Sequence, residues 1–337
     1  MKFTDILKKL EGHEDLNEKE IFFAFDQIFS KEQNVDSTVC FLALLRDKGE
    51  SVQEIVAALH YLEGKSKPVS SKVKDIIDTC GTGGDEKNTF NISTAASFIV
   101  AGAGVVVAKH GNRSVSSKCG SADVLEALGV KIDLPPEKVG RLIDTVGIGF
   151  LFAPSFHSSL THVREARKAL KTKSIFNILG PLLNPVKTKK QVIGVYSEHL
   201  LPLLVQVAKQ MEMECVALVH GGDGMDEITL TTTTKIQWLK DGNISEEIFD
   251  PKSVGYSYCK PEDLLGGDAK QNALRLKQVL KGHSMPLDHC VHLNAALALL
   301  VSKRCTHFKE ALLLVQESVS SGKAFEKLEQ LIEFSWK

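Results

Sequence analysis

Four stretches of this chain combine residue types suited to handling anions. The first is Asp78-Thr79-Cys80-Gly81-Thr82-Gly83-Gly84-Asp85, followed by a helix opening near Asn91-Ile92-Ser93-Thr94. Its clustered glycines let the backbone turn tightly and aim successive N–H groups at one point. Such a nest, aided by a helix N-terminus, suits phosphate oxygens. The pattern is neither G-x-G-x-x-G nor G-x-x-x-x-G-K-S/T, so it indicates neither a dinucleotide nor a P-loop nucleotide. Asp85 would repel a phosphate directly and fits a sugar hydroxyl or a metal-linked contact better. Taken alone, the glycines are equally explained by a tight strand-to-helix turn.

The second stretch runs from Lys109 through His110, Gly111, Asn112, Arg113, Ser114, Val115, Ser116, Ser117, Lys118, Cys119, Gly120 and Ser121 to Asp123. So many cations, hydroxyls and glycines are poor core material. They suit an anion site made of charge-assisted hydrogen bonds, or else a solvated basic loop. The third, His220-Gly221-Gly222-Asp223-Gly224-Met225-Asp226-Glu227, places adjacent acids in a glycine-rich loop. Such a pair can face a hydrated Mg²⁺, which takes few carboxylates and keeps waters and phosphate oxygens; an acidic turn is otherwise simply solvated. The fourth combines His157 with Arg164 and Arg167, material for recognising a small carboxylate, although a capping histidine and a surface arginine explain it equally well.

The elements that must position these stretches alternate. Ile76-Ile77, Val105 to Val107, Val192 to Val195 and Cys215 to Val219 are short β-branched runs. Helical patterns separate them at Thr94 to Ala103, Ala122 to Leu128 and Leu200 to Met211. This alternation predicts an α/β domain with a central, mostly parallel sheet flanked by helices. Three of the four stretches then fall at strand ends, the edge where open α/β sheets bind ligands. Before Gly64-Lys65-Ser66-Lys67-Pro68, a linker, the chain reads as helices alone, with capping boxes at Asn17 to Glu20 and Ser51 to Glu54. The predicted organisation is a small all-helical domain over 1–68, joined by part of 168–190 across a hinge, and an α/β domain over 69–337. Residues 251–269 read as irregular, with helices resuming from about His292.

The chain has 337 residues, 43% of them hydrophobic, with 41 Lys and Arg against 42 Asp and Glu. A net charge of −1 offers no basic surface for general nucleic-acid binding. No apolar run approaches a membrane span, and the N-terminus lacks a signal-peptide core. Seven scattered cysteines without a C-x-x-C pair read as reduced thiols in a cytoplasmic protein. His289 and His292 share a helical turn but lack further zinc ligands at fitting spacing. Lys168, Lys171, Lys173, Lys187, Lys189 and Lys190 read as a solvated basic face.

Taken together, these motifs resemble anthranilate phosphoribosyltransferases over nearly the whole chain. The likeness includes Phe41 to Glu50, Gly81 to Asp85, Asn91 to Thr94, Lys109 to Asp123, Phe176 to Pro185, Asp226-Glu227, Gly266-Gly267-Asp268 and Asn294-Ala295-Ala296. Nucleoside phosphorylases share the fold and a similar Lys-His-Gly-Asn-Arg loop, but would use phosphate and lack Asp226-Glu227 in this role. The resemblance implies that anthranilate displaces pyrophosphate from 5-phosphoribosyl 1-diphosphate, in a homodimer joined through the helical domain. It implies that Gly81, Gly84, Asp85, Thr89, Asn91, Ile92, Ser93, Thr94, the loop Lys109 to Ser117 (closing on the ligand) and Ser121 hold the phosphoribosyl diphosphate. It further implies that Ser93, Asp226 and Glu227 serve Mg²⁺, that Gly81, Asn112, His157 and Arg167 address anthranilate, and that Lys109, Asp226 and Glu227 carry catalysis. The sequence departs from the family at Cys119, where serine is common, at Ser158 for proline, at Lys171 and Lys173 for Gly and Arg, and in a glycine missing from Leu230 to Thr234.

Overall fold

In the computed structural model the chain is described over residues 1–30, 32–114, 118–282 and 285–337. Four helices open it: Phe3–Glu11, Glu18–Phe29, Val35–Lys48 and Val52–Lys65. The two capping boxes start the second and fourth. Asn17 accepts from Glu20 N at 3.1 Å while Glu20 accepts from Asn17 N at 2.8 Å, and Ser51 and Glu54 repeat the exchange. The buried Glu54 also accepts from Leu16 N and Lys48 Nζ, so one carboxylate ties three segments of the helical unit together.

Among the described residues one seven-stranded sheet follows, in the order β3-β2-β1-β4-β5-β6-β7. The strands are β1 (Ile76–Thr79), β2 (Val106–Gly111), β3 (Ile148–Phe152), β4 (Lys190–Gly194), β5 (Cys215–Gly221), β6 (Thr234–Lys240) and β7 (Asn243–Phe249). Neighbours from β3 to β5 pair in parallel; β6 and β7 are antiparallel. Alternation along β5 divides the core between the two faces of the sheet. Cys215, Ala217 and Val219 join one apolar cluster, and Val216 and Leu218 join the other. The second cluster also holds the apolar faces of the four opening helices together with Val163, Ala166, Ile175, Phe176, Ile178, Leu179 and Leu183. Within it the Phe176 ring stacks on Phe25 at 5.9 Å.

Three features differ from the expected elements. The hairpin β6–β7 lies outside the predicted strands, although its two-residue turn is Asp241-Gly242, both at positive φ (49° and 79°), a strong hairpin signal. Helices resume at Ala269–Val279 and Pro286–Val301, not near His292. The earlier helix is polar in composition and buries only a narrow stripe including Ala273, Leu276 and Val279, so its periodicity is faint; the Asp268–Gln271 capping box marks its start. The basic cluster is not uniformly a solvated face. Lys190 is buried, bonded to Asp75 and to the Ser302 carbonyl, and Lys173 donates to Gly84 O at 2.7 Å with Nζ 3.7 Å from the Tyr196 ring centroid.

Lys171 caps the helix Arg164–Leu170 at φ 56°, ψ 9°, in the left-handed region that favours glycine. A side chain there costs ~1–2 kcal/mol, while glycine gives back ~0.4–1 kcal/mol through chain entropy. Lys171→Gly is therefore expected to stabilise the protein by about 0.5–1 kcal/mol, read as a raised urea midpoint at unchanged slope. A lowered midpoint would contradict this account.

Candidate functional site

The strand order reverses between β1 and β4. Strands β2 and β3 extend the sheet on one side of that line, β4 and β5 on the other. Such a reversal opens a crevice at the carboxyl ends of the strands, the usual ligand position in open α/β sheets. The Gly81 to Asp85 loop leaves β1 into this crevice. Thr82 N donates to Gly194 O at 2.8 Å, and Thr82 Oγ1 accepts from Tyr196 N at 3.0 Å, so the end of β4 supports the loop. Gly83 and Gly84 take φ of 62° and 80°, which turns their N–H groups out of the strand direction.

The acidic loop after β5 meets this nest. Asp226 Oδ2 accepts from Gly83 N at 3.0 Å, and Asp226 N lies 3.4 Å from Asp85 Oδ2. The approach is close enough to exclude a side chain at Gly194, whose Cβ would stand 1.7 Å from Asp226 O. Glu227 Oε1 accepts from Ser93 N at 3.2 Å, at the start of the helix Ile92–Gly102. Burial first, then Asp85 and Glu227, push the Asp226 carboxyl well above its ordinary range. Burial likewise pushes Glu227 up to about 7, opposed by Lys109 and Ser93.

Lys109, at the carboxyl end of β2 and only 4% exposed, reaches beneath both loops. Its Nζ donates to Thr79 O at 2.6 Å and to Ser93 Oγ at 3.3 Å. Behind it lies Asp78, fully buried, accepting from His110 N, Asn184 Nδ2 and, at 3.4 Å, Gln191 Nε2. Burial raises Asp78 to about 6, against the pull of Lys109 and of these hydrogen bonds.

Gly81, Gly84, Asp85, Ser93, Lys109, Asp226 and Glu227 are thus joined around one crevice. Ile92 and Thr94 are buried in the adjoining helix start. Asn91 Nδ2 donates to Cys119 O at 3.0 Å, tying the far end of the basic loop to the same helix. Thr89 forms an isolated bridge with Leu265. Ser121 Oγ donates to the carbonyl of Asn112, whose side chain is exposed and accepts from Arg113 N. Arg113 is engaged by Asp123 and Glu126, and Ser114 N donates to Asp123. Val115, Ser116 and Ser117 lie outside the described residues.

His157 follows β3 and is buried; its ring centroid lies 5.3 Å from that of His110. Nε2 of His157 lacks a hydrogen-bond partner in the described structure, and the His110 ring has only a weak approach to the backbone of Gly180. Burial, reinforced by His157, pushes His110 down to about 3, and burial lowers His157, so both rings are neutral near pH 7. Arg167 is half-buried with its guanidinium 5.7 Å from the Phe176 ring centroid. No contact joins it to Gly81 among the described residues.

Sequence reasoning missed the second layer. Lys173 clamps Gly84, Asn184 and Gln191 hold Asp78, and Asn272 donates to Asn91 Oδ1 at 2.9 Å while accepting from Gly267 N at 2.7 Å. Their signals were a breaker-rich turn ending in Asn184-Pro185 and the late Gly266-Gly267-Asp268, neither of which indicates a partner.

This fold and site define a class. Residues 73–325 match the α/β domain of a glycosyl transferase family and residues 4–62 its helical bundle domain. An anthranilate phosphoribosyltransferase of Acetivibrio thermocellus is 46% identical over 98% of this chain and 95% of its own length; one from Rhodopseudomonas palustris is 44% identical over 99% and 98%. The crystal structure of the Thermus thermophilus enzyme superposes with a TM-score of 0.92 at 34% identity, covering 99% of this chain and 100% of that one. A Saccharomyces cerevisiae enzyme in complex with PRPP and Mg gives 0.91 at 28% identity, over 99% and 98%. The chain belongs to the anthranilate phosphoribosyltransferase family. It is an enzyme, a transferase of pentosyl groups.

Proposed function

We propose that the switch-point crevice binds 5-phosphoribosyl 1-diphosphate with Mg²⁺ and presents its C1 carbon to anthranilate. The chain transfers the phosphoribosyl group to anthranilate, giving N-(5-phosphoribosyl)anthranilate and pyrophosphate in tryptophan biosynthesis. The observation that carries the site reading is the convergence of a backbone nest, an acid pair and a buried lysine on one crevice, through Gly83–Asp226, Ser93–Glu227 and Lys109–Ser93.

The acids fit a divalent cation. The half-buried Asp85, Asp226 and Glu227 crowd together, and the proximity of Asp85 and Glu227 helps raise Asp226. Among the described residues no three acidic, histidine or cysteine side chains are arranged to hold an ion by themselves. That suits Mg²⁺, which keeps waters and substrate phosphate oxygens in its shell. Asp226, Glu227 and Ser93 would hold it, and bound there it would neutralise charge on the diphosphate. The Gly81 to Asp85 nest and the helix start at Asn91 to Thr94 orient the sugar phosphate. Lys109 stabilises charge growing on the leaving group, and the loop from Lys109 to Ser117, with Ser121, completes the enclosure. Such catalysis is positioning and electrostatics rather than covalent chemistry.

Gly81, Asn112, His157 and Arg167 address anthranilate in this reading, the unpartnered Nε2 of His157 being left free to hydrogen-bond with it. The amine of anthranilate is neutral at pH 7, so no base is needed to free its lone pair. His157→Ala is therefore expected to cost about threefold to tenfold in kcat/KM for anthranilate, the worth of one neutral hydrogen bond. Undetectable turnover in a folded His157→Ala variant would refute that role.

The helical unit in this reading is residues 1–68 with part of 168–190, the latter serving as hinge, and homodimers form through it. Sedimentation at twice the 36.9 kDa chain mass would support the dimer. No described helix is long and apolar enough to cross a membrane, and we place the enzyme in the cytoplasm. The direct test mixes the protein with anthranilate, 5-phosphoribosyl 1-diphosphate and Mg²⁺ and follows anthranilate fluorescence. Fading is expected. A folded protein that leaves the fluorescence unchanged, or that phosphorolyses thymidine or uridine instead, overturns the assignment.

A further inference from the structure

We propose that Asn294 is a positioning residue for the Asp226–Glu227 loop, setting where its carboxylates stand through a two-point grip on the backbone of Ile228. The inference rests on the reading that this acid pair serves Mg²⁺.

Asn294 lies on the helix Pro286–Val301, a buried element rich in alanine and leucine, and is itself only 4% exposed. Its Oδ1 accepts from Ile228 N at 2.9 Å and its Nδ2 donates to Ile228 O at 2.8 Å. One side-chain amide therefore satisfies both backbone groups of a single residue, as a neighbouring strand would. The second Nδ2 proton reaches Cys290 O at 2.9 Å, and Cys290, one turn earlier on the same face, directs Sγ to Ile228 O at 3.3 Å. Ile228 directly follows Glu227 and is fully buried. Asn294 and Glu227 also line one small cavity with Ser93 and Gly81.

The grip has a physical purpose. Adjacent half-buried acids facing Asp85 repel one another, and a glycine-rich loop has little stiffness of its own. Without an anchor the loop would relax outward into water. The helix behind it is packed and rigid, so a two-point hydrogen bond from that helix fixes the direction in which Asp226 and Glu227 leave the backbone. Asparagine suits the task because it both donates and accepts at the required reach. Aspartate would set a carboxylate oxygen against Ile228 O, and serine is too short to span both groups.

The test measures Mn²⁺ binding in the presence of 5-phosphoribosyl 1-diphosphate, without anthranilate, from the electron-spin signal of free Mn²⁺. Asn294→Asp and Asn294→Ser are expected to weaken binding by about tenfold or more, the usual effect of removing an outer-shell support. The Mg²⁺ concentration for half-maximal rate should rise by a similar factor, while kcat at saturating Mg²⁺ falls less. Glu227→Gln is the control. If Glu227→Gln weakens Mn²⁺ binding and both Asn294 variants bind as the wild type does, the positioning role is wrong and the metal reading stands. Wild-type binding by Glu227→Gln would instead remove the metal reading, and this inference with it. If neither Asn294 variant folds, the residue is structural and the proposal fails.

Discussion

Gly194→Ala is expected to reduce kcat/KM at least a hundredfold and to lower stability by about 1–3 kcal/mol, the range for overfilling a packed site. The added Cβ would stand 1.7 Å from Asp226 O and 2.8 Å from Asp226 C, both backbone atoms. No rotamer change relieves such a contact, so either the end of β4 or the acidic loop must shift. Each is tied to the phosphate nest: Gly194 O accepts from Thr82 N, and Asp226 accepts from Gly83 N. Displacing either separates the nest from the acids, and a misplacement of about 1 Å can cost a hundredfold in rate. Fluorescence assays and thermal melts in parallel check the prediction. An alanine variant with near-normal turnover would mean that the acidic loop stands further from β4 during the reaction.

Lys109→Met should reduce kcat/KM by about a hundredfold to a thousandfold, the cost of removing one charge-stabilising donor from a water-poor site. Methionine keeps most of the aliphatic stem, so folding should survive. What is lost is the cation bonded to Thr79 O and Ser93 Oγ, whose charge favours the ionised forms of Asp78 and Glu227. Without it those two carboxyls rise further, and the leaving diphosphate loses a fixed positive charge. Arginine should not restore activity, because a planar fork cannot occupy the narrow position of an ammonium beneath two loops. A loss smaller than tenfold, or full rescue by Lys109→Arg, would remove Lys109 from the proposed machinery.

The strand-end loops were legible because they violate core composition where core composition was due. Gly81 to Asp85, Lys109 to Asp123 and Asp226-Glu227 each interrupt a β-branched run with glycine, charge or hydroxyl. The hairpin β6–β7 was less visible. Lys235, Lys240, Glu246 and Glu247 dilute its alternation, so that Asp241-Gly242 is its one clear local signal. Lys173 and Lys190 resembled their solvated neighbours in sequence, since nothing in a run of lysines says which one finds a buried acceptor. Asn184, Asn272 and Asn294 were invisible as supports for the same reason. An asparagine reveals its partners only when another segment arrives opposite it.

The sequence by itself determined the alternation of strands and helices, the helical opening, and the anion-directed character of three loops. These follow from local periodicity and from backbone chemistry that glycine, serine and charge impose wherever they stand. Only the tertiary structure decided that Asp226 rests on Gly83 N, that Gly194 must lack a side chain, that Lys109 lies beneath both loops, and that Asn294 grips Ile228. Each of these joins residues far apart along the chain. They depend on the reversal of strand order at β1 and β4 and on the packing of a C-terminal helix behind the acidic loop, and local residue preferences carry no record of either.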